Sequence, residues 1–324
     1  MTDIRERLLT ISNLRTYFYT YEGVVKALDG VDLDMDTGDS LGLVGETGCG
    51  KSTVALSLMR LIRWPPGKIV DGSIVFKGQN LLDKTEDEMR AIRGRDVAMI
   101  FQEPMTSLNP VYRIEKQILD IIRLHQELDK SQAESRAIEA LKVVGLPDPE
   151  QVLKRYPHEL SGGMRQKVMI AMALSCRPDL LIADEPTSAL DVTIQAQILA
   201  LIKDLLKNFK LSMLMITHDL GVVAETCNKV AVMYAGHVVE YGKVNSIFEH
   251  PRHPYTQGLM DAIPKPTESR DRLEIIQGSV PNLIFPPEGC RFHPRCEYAT
   301  ESCKNKRPDA IEIEKDHYVF CFHK

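Results

Sequence analysis

The chain lacks the features of membrane-spanning, secreted and nucleic-acid-binding proteins. No stretch approaches the roughly 20 apolar residues that a membrane-spanning helix requires. The first residues, MTDIRERLLTISNL, carry charges where a secretory signal would need an apolar run. The formal net charge is −5, so the composition shows no basic excess for binding nucleic acid. We therefore expect a cytosolic protein without a nucleic-acid partner.

The composition itself is that of a folded globular protein. Apolar residues make up 44% and charged residues 26% of the 324 residues, which argues against wholesale disorder. Single hydrophobic cores stop growing at roughly 250 to 300 residues, so this length predicts one large domain and an appendage. After His250 the segments PRHPY, IPKPT and FPPEG predict irregular, extended backbone. We place the boundary there, giving a domain at 1–250 and an extension at 251–324.

The large domain begins with strands and continues into a helical region. A small antiparallel sheet is predicted over 8–35, followed by the buried strand SLGLVG and the hairpin GSIVFKGQNLL. From Val111 apolar residues recur at helical spacing, and a capping box of Ser131 and Glu134 is predicted to open a helix. We expect a helical subdomain at about residues 105–175.

Strands and helices then alternate. DLLIAD is predicted as a strand, TIQAQILALIKDLLKNF as a helix, and LSMLMITHD and KVAVMYAGHVVEYG as one strand each. This alternation is typical of a mostly parallel sheet covered by helices. The predicted fold class is therefore α/β, with an antiparallel N-terminal subdomain.

The segment GETGCGKS, Gly45–Ser52, matches the phosphate-loop pattern and lies between a predicted strand and a predicted helix. Glycines let backbone N–H groups converge on phosphate oxygens, and the helix N-terminus adds a favourable dipole. Lys51 is expected to reach the β- and γ-phosphates, and the Ser52 hydroxyl is expected to bind Mg²⁺. The predicted nucleotide contacts are Gly45, Gly48, Cys49, Gly50, Lys51, Ser52 and Thr53.

A second apolar strand, LLIADE, ends in Asp184 and Glu185. In nucleotide hydrolases with a phosphate loop, an aspartate at such a strand end holds Mg²⁺, directly or through water. The adjacent carboxylate can position and polarise the attacking water. Because a phosphate loop lies upstream, we predict these functions rather than two ordinary surface acids.

Ser161, Gly162 and Gly163 open a second predicted helix, in ELSGGMRQKVMIAMALS, whose N-terminus can bind an anion. The chain needs only one such helix start for its own nucleotide. The simplest interpretation is that the second one binds the γ-phosphate held by another subunit. We therefore predict an active dimer with two nucleotides at its interface.

These segments occur with Gln102 in IFQEP, the run SALD at 188–191 and His218 in ITHD. Their order and approximate spacing resemble those of an ABC-transporter ATPase subunit over most of residues 8–245. The resemblance implies an ABC-type nucleotide-binding domain that uses ATP and Mg²⁺.

The same resemblance implies catalytic roles. Glu185 would be the catalytic base, His218 would contact the γ-phosphate, and Gln102 would contact Mg²⁺ or the attacking water and link the site to membrane subunits. Asp184 would hold Mg²⁺, and Asp191 would communicate across the dimer.

An aromatic residue before the first hairpin stacks on adenine in this family. By its position in the chain, Phe18 would take this role. Tyr17 and Tyr19 flank it and are alternatives, since a shift of strand register would exchange them, and ordinary packing of all three aromatic side chains in the strand is the remaining alternative.

The tail segments HPYTQGLMDAIPKP and GCRFHPRCEYATESC resemble the C-terminal extension of ATP-binding subunits of dipeptide and oligopeptide importers. The resemblance implies an ATPase at the inner face of the membrane that powers peptide import through permease subunits. Its partners would be an identical or different ATPase subunit, the permease and, indirectly, an extracytoplasmic peptide-binding protein. Nickel or oligosaccharide import, a soluble non-transport ABC ATPase, and a nucleotide-gated binding module are the alternatives.

Four of the seven cysteines lie in this tail: Cys290, Cys296, Cys303 and Cys321. In a reducing cytosol a cysteine cluster indicates a metal or redox site more often than disulfides. Four thiolates can hold a [4Fe-4S] cluster or zinc. The close pairs that zinc sites favour are absent, and some members of the resembled family carry an iron-sulfur cluster at this spacing. We predict the cluster. Zinc, with His293, His317 or His323 as possible substitutes, and free or oxidised thiols are the alternatives.

Cys49 raises a separate hypothesis because it lies inside the phosphate loop. If its thiol is exposed near the helix N-terminus, it would be reactive. Alkylation would then block nucleotide binding, and ATP would protect it. Cys176 and Cys227 are expected to pack as small apolar residues.

Overall fold

The computed structural model describes residues 6–102, 107–188, 190–263 and 276–323. The segments FQEPMTSLNP, SALD and HPYTQGLMDAIPKP therefore lie partly outside the described residues. The strands are, in chain order, β1 (Arg7–Thr20), β2 (Gly23–Asp36), β3 (Ser40–Val44), β4 (Gly67–Phe76), β5 (Gln79–Asn80), β6 (Val97–Ile100), β7 (Leu180–Asp184), β8 (Ser212–Ile216), β9 (Lys229–Tyr234), β10 (His237–Lys243), β11 (Ile311–Glu314) and β12 (His317–Val319). The helices are α1 (Lys51–Leu58), α2 (Glu86–Ile92), α3 (Ile114–His125), α4 (Lys130–Val143), α5 (Pro149–Lys154), α6 (Gly162–Leu174), α7 (Val192–Phe209), α8 (Leu220–Thr226), α9 (Val244–Glu249), α10 (Pro254–Asp261) and α11 (Glu301–Asn305).

The chain divides into two compact units. The first unit comprises Met1–Asp83 and Ile216–Lys324, and the second comprises Lys84–Met215. The boundary predicted at residue 250 falls inside the first unit and stays a prediction. No helix among the described residues is both long enough and apolar enough to span a membrane.

The N-terminal part of the first unit is an antiparallel sheet with strand order β2-β1-β4-β5. Along β1 the side chains of Leu9, Ile11 and Leu14 are buried, and each is a branched apolar residue suited to a strand that packs on a core. The predicted antiparallel sheet and the hairpin GSIVFKGQNLL, which forms β4 and β5, are both confirmed.

The remaining strands of the first unit follow the order β11-β12-β10-β9-β3. β3 and β9 are parallel, whereas β9 with β10, β10 with β12 and β12 with β11 are antiparallel. β9 turns into β10 through Ala235 and Gly236, whose φ angles of 46° and 82° lie in the left-handed region that two-residue hairpins require. The prediction of one continuous strand here was wrong, and these five strands form a mixed arrangement.

The C-terminal extension is more regular than its proline content suggests. α10 begins at Pro254, where a proline costs no helical hydrogen bond, and β11 and β12 form a hairpin on β10. The fully buried Glu240 of β10 accepts hydrogen bonds from the backbone N–H groups of Arg252 (2.8 Å) and His253 (2.9 Å). The Glu240 carboxylate also lies beside His317 of β12, with 2.8 Å between His317 Nε2 and Glu240 Oε1. The predicted irregular backbone was therefore wrong at the end of PRHPY, where α10 begins, whereas FPPEG contains no helix or strand, as predicted, and IPKPT lies mostly outside the described residues.

The second unit contains strands in the order β8-β7-β6 and the helices α2 to α7. β6 and β7 are parallel. Ile114, Ile118 and Ile122 form the buried face of α3, which confirms the predicted helical spacing. α4 is capped by Asp129 and Gln132, whose side chains each accept the other's backbone N–H at 2.9 Å and 3.1 Å. The predicted box at Ser131 and Glu134 was wrong by two residues.

Candidate nucleotide-binding site

In the first unit, the phosphate loop runs from the end of β3 to the start of α1, as predicted. Gly45 has φ 147°, and a Cβ added to it would lie 2.1 Å from the carbonyl oxygen of Met233. Glycine is therefore required here by space as well as conformation. The buried Lys51 side chain donates from Nζ to the carbonyl oxygens of Gly45 (2.7 Å) and Glu46 (3.1 Å). The loop thus holds its own lysine beside the helix N-terminus.

The loop cysteine is not accessible. Cys49 is fully buried, and its backbone carbonyl accepts a hydrogen bond from Gly236 at 2.8 Å. Burial raises the pKa of the Cys49 thiol, and the neighbouring Lys51 offsets only part of this rise. The condition for a reactive thiol, exposure, is therefore not met. Any nucleotide contact at Cys49 comes from its backbone.

The three candidate adenine-stacking residues have different surroundings. The Tyr17 hydroxyl donates to Asp29 at 2.8 Å, and burial together with this bond raises the pKa of Tyr17. The half-buried Phe18 ring lies against Gly67, and the exposed Tyr19 ring meets Trp64 edge to face at 5.7 Å. The assignment to Phe18 stays a prediction. His218 is exposed between β8 and α8, and its predicted γ-phosphate contact also stays a prediction.

In the second unit, the predicted catalytic acids follow a buried strand. Asp184 is the last residue of β7 and is 6% exposed. Glu185 comes next with φ 45°, a left-handed conformation that costs a non-glycine residue energy and that occurs often at functional sites. The Gln102 side-chain amide donates to Glu185 Oε2 at 2.8 Å. The structure thus brings together Gln102 and Glu185, which are 83 positions apart in the chain.

The predicted second anion site in this unit is a helix start. Ser161 is the N-cap of α6, and its Oγ accepts the backbone N–H of Met164 at 3.3 Å. Gly162 and Gly163 form the first turn, and a Cβ added at Gly163 would lie 2.9 Å from Ile194 of α7. Glycine is therefore required at Gly163 for α7 to pack this closely on α6. Asp191 caps α7 by accepting the backbone N–H of Ile194 at 3.0 Å.

The four tail cysteines lie in the first unit, and their thiols influence one another. Burial and then the charges of Cys303, Cys321 and Cys296 raise the pKa of the Cys290 thiol to about 11. The Cys290 N–H donates to the carbonyl oxygen of Cys303 at 2.8 Å. Within the described ranges, however, no three histidine, cysteine, aspartate or glutamate side chains are grouped to hold a metal ion. The donor types suit the predicted cluster, but their arrangement here is not that of a metal site.

One contact of the phosphate loop was missed by the sequence analysis. Arg295 in the extension forms a salt bridge with Glu46, with Nη1 2.7 Å from Oε2 and Nη2 3.1 Å from Oε1. The hydroxyl of Tyr255 accepts the Glu46 backbone N–H at 2.9 Å. These partners lie 249 and 209 positions from Glu46, so no local pattern could have indicated them.

Comparison with known proteins identifies the family. A family model described as ABC transporter matches residues 28–188, and one described as oligopeptide/dipeptide transporter, C-terminal region, matches residues 239–303. The chain is 51% identical to the oligopeptide transport ATP-binding protein AppD of Bacillus subtilis, over 97% of this chain and 96% of that one. The chain belongs to the ATP-binding proteins of the peptide ABC transporters. The probable peptide ABC transporter ATP-binding protein y4tR of Sinorhizobium fredii is 50% identical over 97% of this chain and 94% of that one.

Solved structures agree with this ABC cassette. A dimeric post-hydrolysis state of the ATP-binding cassette MJ0796, bound to ADP and Pi, matches with a TM-score of 0.66 and 26% identity. The match covers 73% of this chain and 99% of that cassette. The cassette fold is therefore shown, and the remaining part of the chain lies outside the match.

Proposed function

We propose that this ABC cassette hydrolyses ATP to power the import of dipeptides and oligopeptides through membrane permease subunits. The observation that carries the proposal is the similarity to peptide-transport ATP-binding proteins, which covers nearly the whole chain. It includes residues 239–303, which match the C-terminal region of oligopeptide and dipeptide transporters.

In this proposal, the phosphate loop and Lys51 bind the polyphosphate of ATP. Ser52, Gln102 and Asp184 supply oxygen ligands for Mg²⁺, which suits a hard cation. Glu185 accepts the proton of the attacking water, and its hydrogen bond with Gln102 orients the carboxylate. His218 contacts the γ-phosphate, and Phe18 stacks on adenine.

The active unit in this proposal is a dimer. Ser161, Gly162 and Gly163 present a helix N-terminus to the γ-phosphate bound by a second ATPase subunit, identical or different. The pair is peripheral on the inner face of the membrane, bound to the permease. A peptide-binding protein outside the membrane delivers the substrate. Contacts that differ between the ATP-bound and ATP-free states drive the conformational switching of the dimer.

Peptide uptake tests the proposed function. Cells that carry the Lys51→Ala variant in place of the wild-type chain should lose uptake of a labelled tripeptide, because the phosphate loop then lacks its phosphate-binding cation. Uptake of nickel and of an oligosaccharide should be unchanged. Equal amounts of the wild-type and variant chains in the membrane fraction provide the control. Unchanged peptide uptake with loss of nickel or oligosaccharide uptake would assign another substrate, and an absence of the chain from membranes would favour a soluble ABC ATPase.

We also infer that Cys290, Cys296, Cys303 and Cys321 bind a [4Fe-4S] cluster that stabilises the extension. Four thiol donors of fitting type in the extension support this inference. Protein purified without oxygen should contain about four iron and four sulfide per chain, as that cluster requires. A Cys303→Ser variant should lose them, and Cys227→Ser, a control outside the tail, should not. Stoichiometric zinc, or no metal at all, would contradict the cluster.

A further inference from the structure

Glu46 places a negative charge in a loop built to bind a polyanion. It follows Gly45 directly, and its carbonyl oxygen accepts a hydrogen bond from Lys51 Nζ. The carboxylate is part of the loop itself, so its charge lies close to any phosphate that the loop binds. Like charges repel more strongly near a protein surface than in bulk water. Left alone, Glu46 would weaken nucleotide binding.

Arg295 is placed to neutralise that charge. Both of its Nη atoms donate to the Glu46 carboxylate, at 2.7 Å and 3.1 Å, and its side chain is only 5% exposed. A two-point contact of this kind is both strong and directional. The guanidinium is also held by the carbonyl oxygens of Gln277 (2.9 Å) and Ile276 (3.1 Å). Arg295 is therefore also held in position by groups outside the loop.

The aromatic cluster around Arg295 fixes the same loop residue from its backbone side. The Tyr255 hydroxyl accepts the Glu46 N–H, and the fully buried Tyr255 packs on Tyr234 with ring centroids 4.7 Å apart. The Arg295 guanidinium in turn lies 5.7 Å from the centre of the Tyr234 ring. The extension thus contacts Glu46 at its backbone and at its side chain.

We propose that Arg295 is a positioning residue for nucleotide binding, which acts by neutralising and orienting the Glu46 carboxylate in the phosphate loop. This inference rests on the proposed function, since it assumes that the loop binds ATP. Arg295 lies in the short turn between Cys290 and Cys296, so the folding of the cysteine-bearing extension also determines where this cation lies. The extension then contributes to the ATPase site of its own chain.

Binding measurements on the full-length chain test the proposal. Arg295→Gln should weaken MgATP binding by about three- to tenfold, because Glu46 is left unpaired near the phosphates. The loss should decrease from ATP to ADP to AMP, and should shrink at high salt. In steady-state hydrolysis KM should rise while kcat stays within about twofold of wild type, the signature of binding energy lost equally from the ground state and the transition state.

The distinguishing result comes from removing the partner charge. Glu46→Gln alone leaves the Arg295 cation unpaired near the phosphates and should bind MgATP at least as tightly as wild type, and Glu46→Gln combined with Arg295→Gln should recover most of the lost affinity. If Arg295 only stabilised the fold, the double variant would not recover this MgATP affinity. Arg307→Gln is the matched control, because Arg307 is another extension arginine that donates to the carbonyl oxygens of Asp29 (2.9 Å) and Gly30 (2.7 Å) and does not bond Glu46. Its MgATP affinity should equal that of wild type.

Several outcomes would overturn the proposal. These are wild-type affinity in Arg295→Gln, a double variant as weak as Arg295→Gln alone, an equal loss in Arg307→Gln, and a loss of about threefold or more in Glu46→Gln relative to wild type. The last measurement still decides the question if Arg295→Gln does not fold. A wild-type chain that binds no ATP would instead contradict the proposed function.

Discussion

Glu185→Gln is expected to lower ATP turnover by on the order of a hundredfold or more, since a positioned general base contributes about 10²- to 10⁴-fold. The amide has nearly the same shape as the carboxylate and can still accept the 2.8 Å hydrogen bond from Gln102 through its oxygen. It cannot accept the proton of the attacking water. MgATP affinity should therefore stay within about twofold of wild type, because binding depends on the phosphate loop.

Single-turnover hydrolysis and equilibrium binding of MgATP separate the two effects. Glu139→Gln provides the matched control, since Glu139 is a carboxylate of the same unit that is bonded to Arg136 at 2.6 Å and lies outside the nucleotide motifs. Its turnover should equal that of wild type. If Glu185→Gln kept more than about a tenth of the activity, Glu185 would not be the catalytic base. A parallel loss of ATP binding would show that the residue holds the nucleotide instead.

The nucleotide motifs could be predicted because each depends on its own short segment. The loop before Lys51 needs glycine where Gly45 adopts a positive φ beside the carbonyl oxygen of Met233. The start of α6 needs a capping side chain, which Ser161 provides. Such local requirements leave a mark in the sequence, and the structure places these residues at the predicted strand ends and helix start.

Choices between equivalent local patterns could not be predicted. Asp129 with Gln132 and Ser131 with Glu134 both fit a capping box. The structure uses the first pair, and the helix that begins after Asp129 buries Ala133 and Ala137. The hairpin of β11 and β12 did leave a signal, since IEIE alternates between half-buried and exposed positions before a turn at Asp316. The bond from Arg295 to Glu46 left none, because its partners are joined by the fold and not by the sequence between them.

Ser161→Asp should abolish most ATP turnover while leaving α6 folded. Aspartate is as good an N-cap as serine, so the helix keeps its bond to the Met164 N–H. Its charge, however, stands where the γ-phosphate of the partner's nucleotide is proposed to bind. Repulsion there should reduce turnover by about tenfold or more. Thermal unfolding should show a midpoint close to that of wild type.

Asp129→Ala should lower stability and leave ATP turnover unchanged, the reverse of Ser161→Asp, and is therefore the control for stability. It removes the N-cap of α4, which should cost about 1 kcal/mol of unfolding free energy, and leaves the nucleotide motifs intact. Its turnover should match wild type at temperatures where it stays folded. If Ser161→Asp hydrolysed ATP at the wild-type rate, α6 would not receive a phosphate during catalysis. The proposed sandwich of two nucleotides between two subunits would then be wrong, even if Lys51 and Glu185 behaved as expected.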